Sequence, residues 1–286
     1  MISAVVAAFN ENRAIADTVH RIRDVLTAAD LGEFEIVVVD DGSEDGTADL
    51  AEAAGARVLR HPHNIGYGRS LKTGIEAARF DTIVITDADG TYPIERMPDL
   101  IRMHRQGYDM VVGARSGRHY QDGLVKPVIR FLLRLLVEWT TGRHIPDINS
   151  GLRVFSRTAM MGYSKHLCDT FSFTTSATLA YMLTGRFVGY LPITYAERIG
   201  RTHVQLWRDS LRTMQFIVQA IIYYNPLKIF LLMSLICLIG TVVSVLIGVV
   251  FHLATGFMMG VGMALVAVLI FALGLLADLL RQILGK

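Results

Sequence analysis

Cysteine and proline are scarce in this sequence, and over one long stretch so is charge. Only two cysteines, Cys168 and Cys237, occur in 286 residues. They lie far apart in unlike contexts, which argues against a disulfide framework and fits a reducing compartment for the N-terminal part. The opening run MISAVVAAFNEN has no basic leader region, and its apolar stretch is too short for a signal peptide. It is read as a first strand whose domain stays in the cytosol. No motif that reads nucleic acid is present, and no internal repeat or low-complexity segment. Between Lys228 and Asp278 the chain has no Asp, Glu, Lys or Arg. As one helix those 49 residues would be roughly 73 Å long, against a hydrocarbon core of about 30 Å. One crossing is excluded and two fit, with HLATG (252–256) as the break.

What is present divides unevenly along the chain. The apolar fraction is 52% and the mean hydropathy +0.39, high values that suggest membrane segments. The net charge of +2 conceals an acidic front, with 11 basic and 19 acidic residues in 1–110, and a basic rear with 17 and 7. A basic half beside apolar segments suits anionic lipid headgroups or phosphates. Two transmembrane helices are expected at about 230–251 and 257–277 within a hairpin at 227–286. Lys228 at one end, and Arg281 and Lys286 at the other, place both ends on the cytosolic side. Before the hairpin, VQLWRDSLRTMQFIVQAIIYYNP mixes Trp207, Tyr223 and Tyr224 with Arg208 and Arg212 at helical spacing and ends at Pro226. Residues 205–226 therefore read as an amphipathic helix in the membrane interface. LVKPVIRFLLRLLVEWTTG (124–142) has Arg130 and Arg134 four residues apart on an apolar helix. It suits either the interface or a helix packed on the domain core.

Residues 1–204 alternate strand and helix. ISAVVAAF, FEIVVVD, ARVLR, TIVIT and DMVVGAR are short β-branched runs, separated by helical patterns such as NRAIADTVHRIRDVLTAAD. This is the pattern of an α/β domain with a mostly parallel sheet buried on both faces. Ligands bind such sheets beyond the carboxyl ends of the strands, and acids stand there. IVVVDDGSEDGT ends on Asp40 and Asp41 before a glycine turn, which also suits a plain turn with an N-cap. VITDADGTYP ends on Asp87 and Asp89; within a strand, residues i and i+2 face the same way. Two like charges that close repel unless a cation shares them, and a hard divalent ion such as Mg²⁺ or Mn²⁺ suits oxygen ligands and arrives with substrate phosphates. Alternatively one acid caps the helix entered at Thr91-Tyr92-Pro93 and the other is solvated. His61 and His63 flank a proline and have the spacing, though little else, of a metal pair. Tyr67 and Met103 read as core or rim.

In order along the chain stand AAFNEN (7–12), VVVDDGSEDGT (37–47), NIGYGRSLKTG (64–74), TDADGTYP (86–93), VVGAR (111–115), DINSGLRVFSR (147–157) and ERIGRTH (197–203). The series resembles the family 2 glycosyltransferases of GT-A fold. More narrowly it is similar to the polyprenyl-phosphate glycosyltransferases, the group that includes dolichyl-phosphate mannose synthase and bacterial undecaprenyl-phosphate sugar transferases. The resemblance covers about residues 2–205, and the C-terminal hairpin matches the bacterial members in kind. It implies a Rossmann-like GT-A catalytic domain over 1–204. It further implies that Ala7, Ala8, Phe9, Asn10, Glu11, Asp40 and Asp41 line the nucleotide, with Asp87 and Ala88 beside it. Asp89 would be the direct metal ligand and Asp87 the second. Arg115 would meet the acceptor phosphate, and Arg198 through His203 would close over the donor diphosphate; Lys126 and Arg130 are further candidates for the acceptor clamp, or else anchors on the membrane surface. His203 stands where relatives often have lysine, and the glutamine some relatives use as a further metal ligand falls near Thr91. Asp147 and Asn149 would orient a sugar hydroxyl or donor phosphate at the rim, or else form a capped turn.

The implied reaction is a metal-dependent, inverting transfer of one sugar from a UDP- or GDP-sugar to a polyprenyl phosphate at the cytosolic face of the plasma (inner) membrane. Its partners are the nucleotide sugar, the polyprenyl phosphate and the bilayer, without nucleic acid, and nothing in the sequence excludes a homo-oligomer. A phosphate acceptor is largely ionised near neutral pH, so charge management matters more than a general base. The alternatives are a membrane glycosyltransferase acting on another lipid or a polysaccharide, and a non-catalytic membrane scaffold that retains the fold.

Overall fold

A computed structural model of the chain describes residues 1–116, 135, 137–196 and 206–284, with side chains left undescribed at 206–213 and 284. The chain divides into two compact units, Met1–Ile217 and Val218–Lys286.

The first unit is built on a seven-stranded sheet of order β3-β2-β1-β4-β6-β5-β7. The strands are β1 (Ile2–Ala8), β2 (Phe34–Asp40), β3 (Arg57–Arg60), β4 (Thr82–Asp87), β5 (Met110–Ser116), β6 (Arg153–Ser156) and β7 (Val188–Thr194). Pairing is parallel except at β6, which runs antiparallel to both β4 and β5. All seven residues of β1 are buried, as expected of a central strand covered on both faces. Helices α1 (Ile15–Ala29), α2 (Thr47–Ala53), α3 (Tyr67–Ala77), α4 (Met97–Arg105), α5 (Arg157–Tyr163) and α6 (Phe173–Leu183) surround the sheet.

α1 buries Ile15, Thr18, Val19, Ile22 and Leu26, one stripe at helical spacing. The Thr18 hydroxyl donates 3.1 Å to the Ala88 carbonyl and so ties this helix to the loop after β4. α3 approaches the sheet through Gly74, where a Cβ would stand 2.4 Å from Val5 Cγ1. β1 pairs on one side with β2, placing Ala8 opposite Asp40, and on the other with β4, placing Ala7 opposite Asp87. The chain leaves β1 toward β2 on one side and leaves β4 toward β5 on the other, so a crevice opens at the carboxyl ends of β1 and β4. Strand β4 ends at Asp87, and Asp89 lies in the bend beyond it. The expectation that both acids share one strand face is corrected accordingly.

Helix α7 (Leu206–Tyr224) leads to α8 (Pro226–Val250) and α9 (Ala254–Leu284). Among the described side chains of α7, Ile217 and Ile221 are buried while Met214, Ile222 and Tyr223 are exposed, an amphipathic pattern. α8 and α9 are long and apolar enough to cross a membrane, with hydropathies of 2.8 and 2.6 over their apolar stretches. They pack through small residues. The Ser234 hydroxyl donates 3.0 Å to the Ala267 carbonyl, and the Ser244 hydroxyl 2.9 Å to that of Gly256. The break spans only 251–253, shorter than HLATG. His252 takes the left-handed conformation (φ 52°), and the Leu253 N–H closes back on the Gly248 carbonyl at 3.0 Å. That is a Schellman cap built without glycine at its left-handed position.

Candidate active site

The crevice at the β1–β4 edge holds a cavity of about 280 Å³, lined by backbone-near residues Ala7, Ala8 and Ala88 and by Phe9, Glu11, Asp41, Tyr67, Asp87, Asp89 and Phe171, among others. Most of the residues assigned to the donor from sequence therefore share one wall. Asn10 and Asp40 are not part of it. Asn10 is exposed, with φ 55°, and is tied to the loop after β2: its N–H donates to Ser43 Oγ at 2.9 Å and its Oδ1 accepts from the Glu44 N–H at 3.0 Å. Glu11 and Asn12 continue this zipper through Thr47 and Asp45. Asp40 is buried; Oδ2 accepts from the Ser43 N–H, while Oδ1 has no hydrogen-bond partner. A buried carboxylate oxygen left in that state is costly unless a ligand donor reaches it.

Asp41 has a different occupation. Its Oδ1 pairs with His61 Nδ1 at 2.8 Å and accepts from the Ile65 N–H at 3.1 Å, and its Oδ2 accepts from the Gly66 N–H at 2.8 Å. The other ring nitrogen of His61 meets Thr73 Oγ1 at 3.1 Å. His61 therefore holds the 61–66 loop to the sheet instead of pairing with His63 on a metal.

The two acids at and beyond the end of β4 are each oriented by a hydroxyl. Tyr67, the first residue of α3, donates from its phenol to Asp87 Oδ1 at 2.7 Å. Burial, reinforced by the Asp87 charge, pushes the Tyr67 hydroxyl well above the ordinary tyrosine range, so it remains a donor. Asp89 is buried, and its Oδ1 accepts from the Thr91 N–H at 3.1 Å and the Thr91 hydroxyl at 2.6 Å. This is an Asx-type turn. It caps no helix, since neither the turn Ile94–Arg96 nor the helix after it has a side-chain cap, and Asp89 lines the cavity. Among the described residues no group of three or more His, Cys, Asp or Glu side chains is placed to hold a metal. Two adjacent carboxylates on one cavity wall fit a hard divalent ion that completes its shell with phosphate oxygens and water.

Behind Asp87 runs the 147–151 segment. A Cβ on Gly151 would fall 2.7 Å from Asp87 Oδ1 and 3.0 Å from Asp87 Cγ. The Gly151 N–H donates 2.6 Å to the Tyr92 hydroxyl oxygen. The segment is held by Arg153, a fully buried arginine on β6. Its guanidinium donates to the carbonyls of Ser150 (2.6 Å) and Ile148 (2.7 Å) and to Thr178 Oγ1 (2.6 Å). Nothing in the spacing of DINSGLRVFSR distinguishes Arg153 from a solvated arginine.

Arg115, at the end of β5, forms a two-point pair with Asp147: Nε to Oδ2 at 2.7 Å and Nη2 to Oδ1 at 2.9 Å. The Arg115 backbone N–H adds a third bond at 3.1 Å, and the guanidinium lies 5.3 Å over the Tyr195 ring. Tyr195 packs edge-on against Tyr92, and the next residue, Ala196, donates to the Thr91 carbonyl at 3.0 Å. Arg115 is thus joined to the Asp89 turn through aromatic rings and backbone. Asp147, expected at the rim on a sugar or a phosphate, is instead the fixed partner of this arginine. Lys126, Arg130, Arg198 and His203 lie outside the described residues.

Burial raises the Asp147 carboxyl, but the hydrogen bonds and charge of Arg115, with backbone donors, outweigh it and hold the group below the usual carboxylate range. A depressed folded pKa stabilises the fold above the unfolded value of about 3.9 and loses that contribution as pH falls through the folded value. Asp147→Asn should therefore lose about 3 kcal/mol of stability at neutral pH, from the broken buried pair. Its unfolding temperature should also depend less steeply on pH below about 4 than that of the native chain. Thermal unfolding across pH measures both; parallel acid limbs would remove Asp147 from the account.

The sequence model of the family described as glycosyl transferase family 2 matches residues 3–166. Among curated relatives, the undecaprenyl-phosphate 4-deoxy-4-formamido-L-arabinose transferase of Shewanella sediminis is 34% identical over 164 residues, covering 54% of this chain and 48% of its own. A low-salt glycan biosynthesis hexosyltransferase of Haloferax volcanii is 30% identical over 224 residues, 76% of this chain and 53% of its own. The dolichyl-phosphate hexose transferase of the same organism is 28% identical, over 70% of this chain and 85% of its own. The chain spans about half the length of the first two. Among solved structures, glucosyl-3-phosphoglycerate synthase from Mycobacterium tuberculosis, in complex with Mn²⁺, UDP and glucosyl-3-phosphoglycerate, superimposes with a TM-score of 0.61 at 20% identity. That match covers 77% of this chain and 79% of the other, and it establishes likeness of fold.

Proposed function

Because this chain belongs to glycosyl transferase family 2, we propose that it transfers one sugar from a nucleotide sugar to a polyprenyl phosphate in the membrane. The observation that carries the proposal is the Asp87–Asp89 wall of the cavity at the β1–β4 crevice. Relatives named for undecaprenyl- and dolichyl-phosphate acceptors support the choice of acceptor, and the two membrane-capable helices α8 and α9 support a lipid-borne one.

In this reading Ala7, Ala8, Phe9 and Glu11, with Ala88, line the cavity and receive the nucleoside. Asp87 and Asp89 would hold Mg²⁺ or Mn²⁺ together with the donor diphosphate. When bound, such an ion supplies Lewis-acid neutralisation of the leaving diphosphate. The chain's own residues fix the carboxylates, through Tyr67 on Asp87 and Thr91 on Asp89. An acceptor phosphate oxygen forms a bond to the anomeric carbon as the bond from that carbon to the diphosphate oxygen breaks, inverting the centre. The phosphate arrives already ionised, so no proton must be removed. Arg115, held rigid by Asp147, together with Lys126 and Arg130, would offset the acceptor charge; Arg198 and His203 would offset the donor charge. The cytosolic placement of the catalytic unit and both ends rests on Lys228, Arg281 and Lys286.

A panel of radiolabelled UDP-, GDP- and dTDP-sugars with undecaprenyl phosphate and Mg²⁺ or Mn²⁺ tests the proposal. Organic-extractable label from at least one donor, lost in EDTA, is the expected result. Label entering a polysaccharide with none in lipid phosphate would contradict the acceptor.

A further inference from the structure

We propose that Tyr67 is a positioning residue that sets the orientation of the Asp87 carboxylate for metal-assisted donor binding, acting through its hydroxyl and held in place by the 167–171 loop. The proposal rests on the donor-site reading above. Asp87 closes β4, and a carboxylate at a strand end can rotate unless something fixes it. Gly151 limits it sterically on one side, and the Tyr67 hydroxyl gives it a directed bond of 2.7 Å.

Tyr67 can only orient another group if it is itself immobile, and several contacts make it so. The backbone before it is pinned by Asp41, which accepts from the N–H groups of Ile65 and Gly66. Its ring stacks on Phe171 with centroids 5.9 Å apart and planes 14° from parallel. The glycines on either side, Gly66 and Gly68, press directly on the loop: a Cβ would stand 2.7 Å from the Asp169 carbonyl oxygen at Gly66 and 2.4 Å from that of Cys168 at Gly68. The Arg69 N–H donates to the Asp169 carbonyl at 2.9 Å, and Lys72 Nζ bonds the Leu167 carbonyl at 2.6 Å and Asp169 Oδ1 at 2.7 Å. The start of α3 and the loop before α6 therefore form one fitted joint. Tyr67 projects from it toward Asp87, and Phe171 from it into the cavity wall. A tyrosine serving only as wall would need the ring and not the hydroxyl.

Tyr67→Phe separates the two roles, since it keeps the ring and its stack on Phe171 and removes the oriented bond. Groups that orient metal-binding side chains typically change metal affinity about 10–100-fold when removed. The experiment titrates Mn²⁺ into the full detergent-solubilised chain with UDP or GDP, following free Mn²⁺ by electron paramagnetic resonance, alongside thermal unfolding. The expected result is Mn²⁺ retention weakened at least about tenfold in Tyr67→Phe, with the unfolding temperature little changed. Unchanged Mn²⁺ affinity, with or without a fall in unfolding temperature, would overturn the positioning role and leave the donor site standing. A native chain that retains no Mn²⁺ with either nucleotide would overturn both.

Discussion

Asp89→Asn should abolish sugar transfer, lowering the rate by about a thousand-fold or more, in a protein that stays folded. Asparagine keeps the shape and, through its amide oxygen, the turn that Asp89 makes with the Thr91 N–H and hydroxyl. What it loses is the charge, and with it the ability to bind a hard divalent ion beside Asp87. Lewis-acid assistance is worth several kcal/mol, and every 1.36 kcal/mol is a factor of ten in rate, so about 4 kcal/mol corresponds to about a thousand-fold. Initial rates of lipid labelling and a thermal unfolding curve, measured on one preparation, check the two halves. An asparagine variant retaining a tenth of native activity would reduce Asp89 to a turn-forming residue.

The second large effect is expected at a residue with no side chain. Gly151→Ala places a methyl group where Asp87 Oδ1 and Cγ now stand 2.7 and 3.0 Å away. Real Cβ atoms do not approach so closely, so the carboxylate must shift or the 147–151 segment must. That segment is tied at Ile148 and Ser150 to buried Arg153, and at Gly151 to Tyr92. The Asp87 side chain at the half-buried end of its strand can turn about its own torsions, so it shifts against the Tyr67 bond that holds it. A displacement near 1 Å at a reacting constellation costs about a hundred-fold. The kcat/KM for the nucleotide sugar should fall by about that factor, while overpacking costs about 1–3 kcal/mol of stability. Steady-state kinetics over donor concentration, set against a denaturation curve, decide the matter. Native kcat/KM would show that the position of Asp87 is not critical.

Much of this arrangement was legible in the chain. Strands β1 to β5 and the helix after β1 announce themselves, the strands because a sheet buried on both faces requires short β-branched runs; most of the helix expected at 124–142 lies outside the described residues. The hairpin is legible because 49 consecutive residues carry no Asp, Glu, Lys or Arg, a length that suits two membrane-capable helices. Strands β6 and β7 were not. β6 is four residues long and begins with an arginine, and β7 contains Gly189 and Pro192, which weaken any strand pattern. The donor acids could be named from order and spacing, but their supports could not. Tyr67 looked like rim, yet its hydroxyl holds Asp87 from 20 residues away. Asp147 looked like a rim ligand, yet it holds Arg115 from 32 residues away. Asp41 and Asn10 looked like nucleotide contacts, yet their side chains fasten the loops around the cavity. Pairings at such separations follow from strand order and close approach, and no local period encodes them.

In the proposed reaction a single sugar passes to the phosphate of a polyprenyl lipid. The most direct measurement is the ³¹P nuclear magnetic resonance spectrum of the lipid product formed from undecaprenyl phosphate and the accepted nucleotide sugar. Conversion of the phosphomonoester resonance to one phosphodiester resonance, with one equivalent of nucleoside diphosphate released, is the predicted result. A pyrophosphate pair on the lipid, or an unchanged phosphomonoester while donor is consumed, would contradict it.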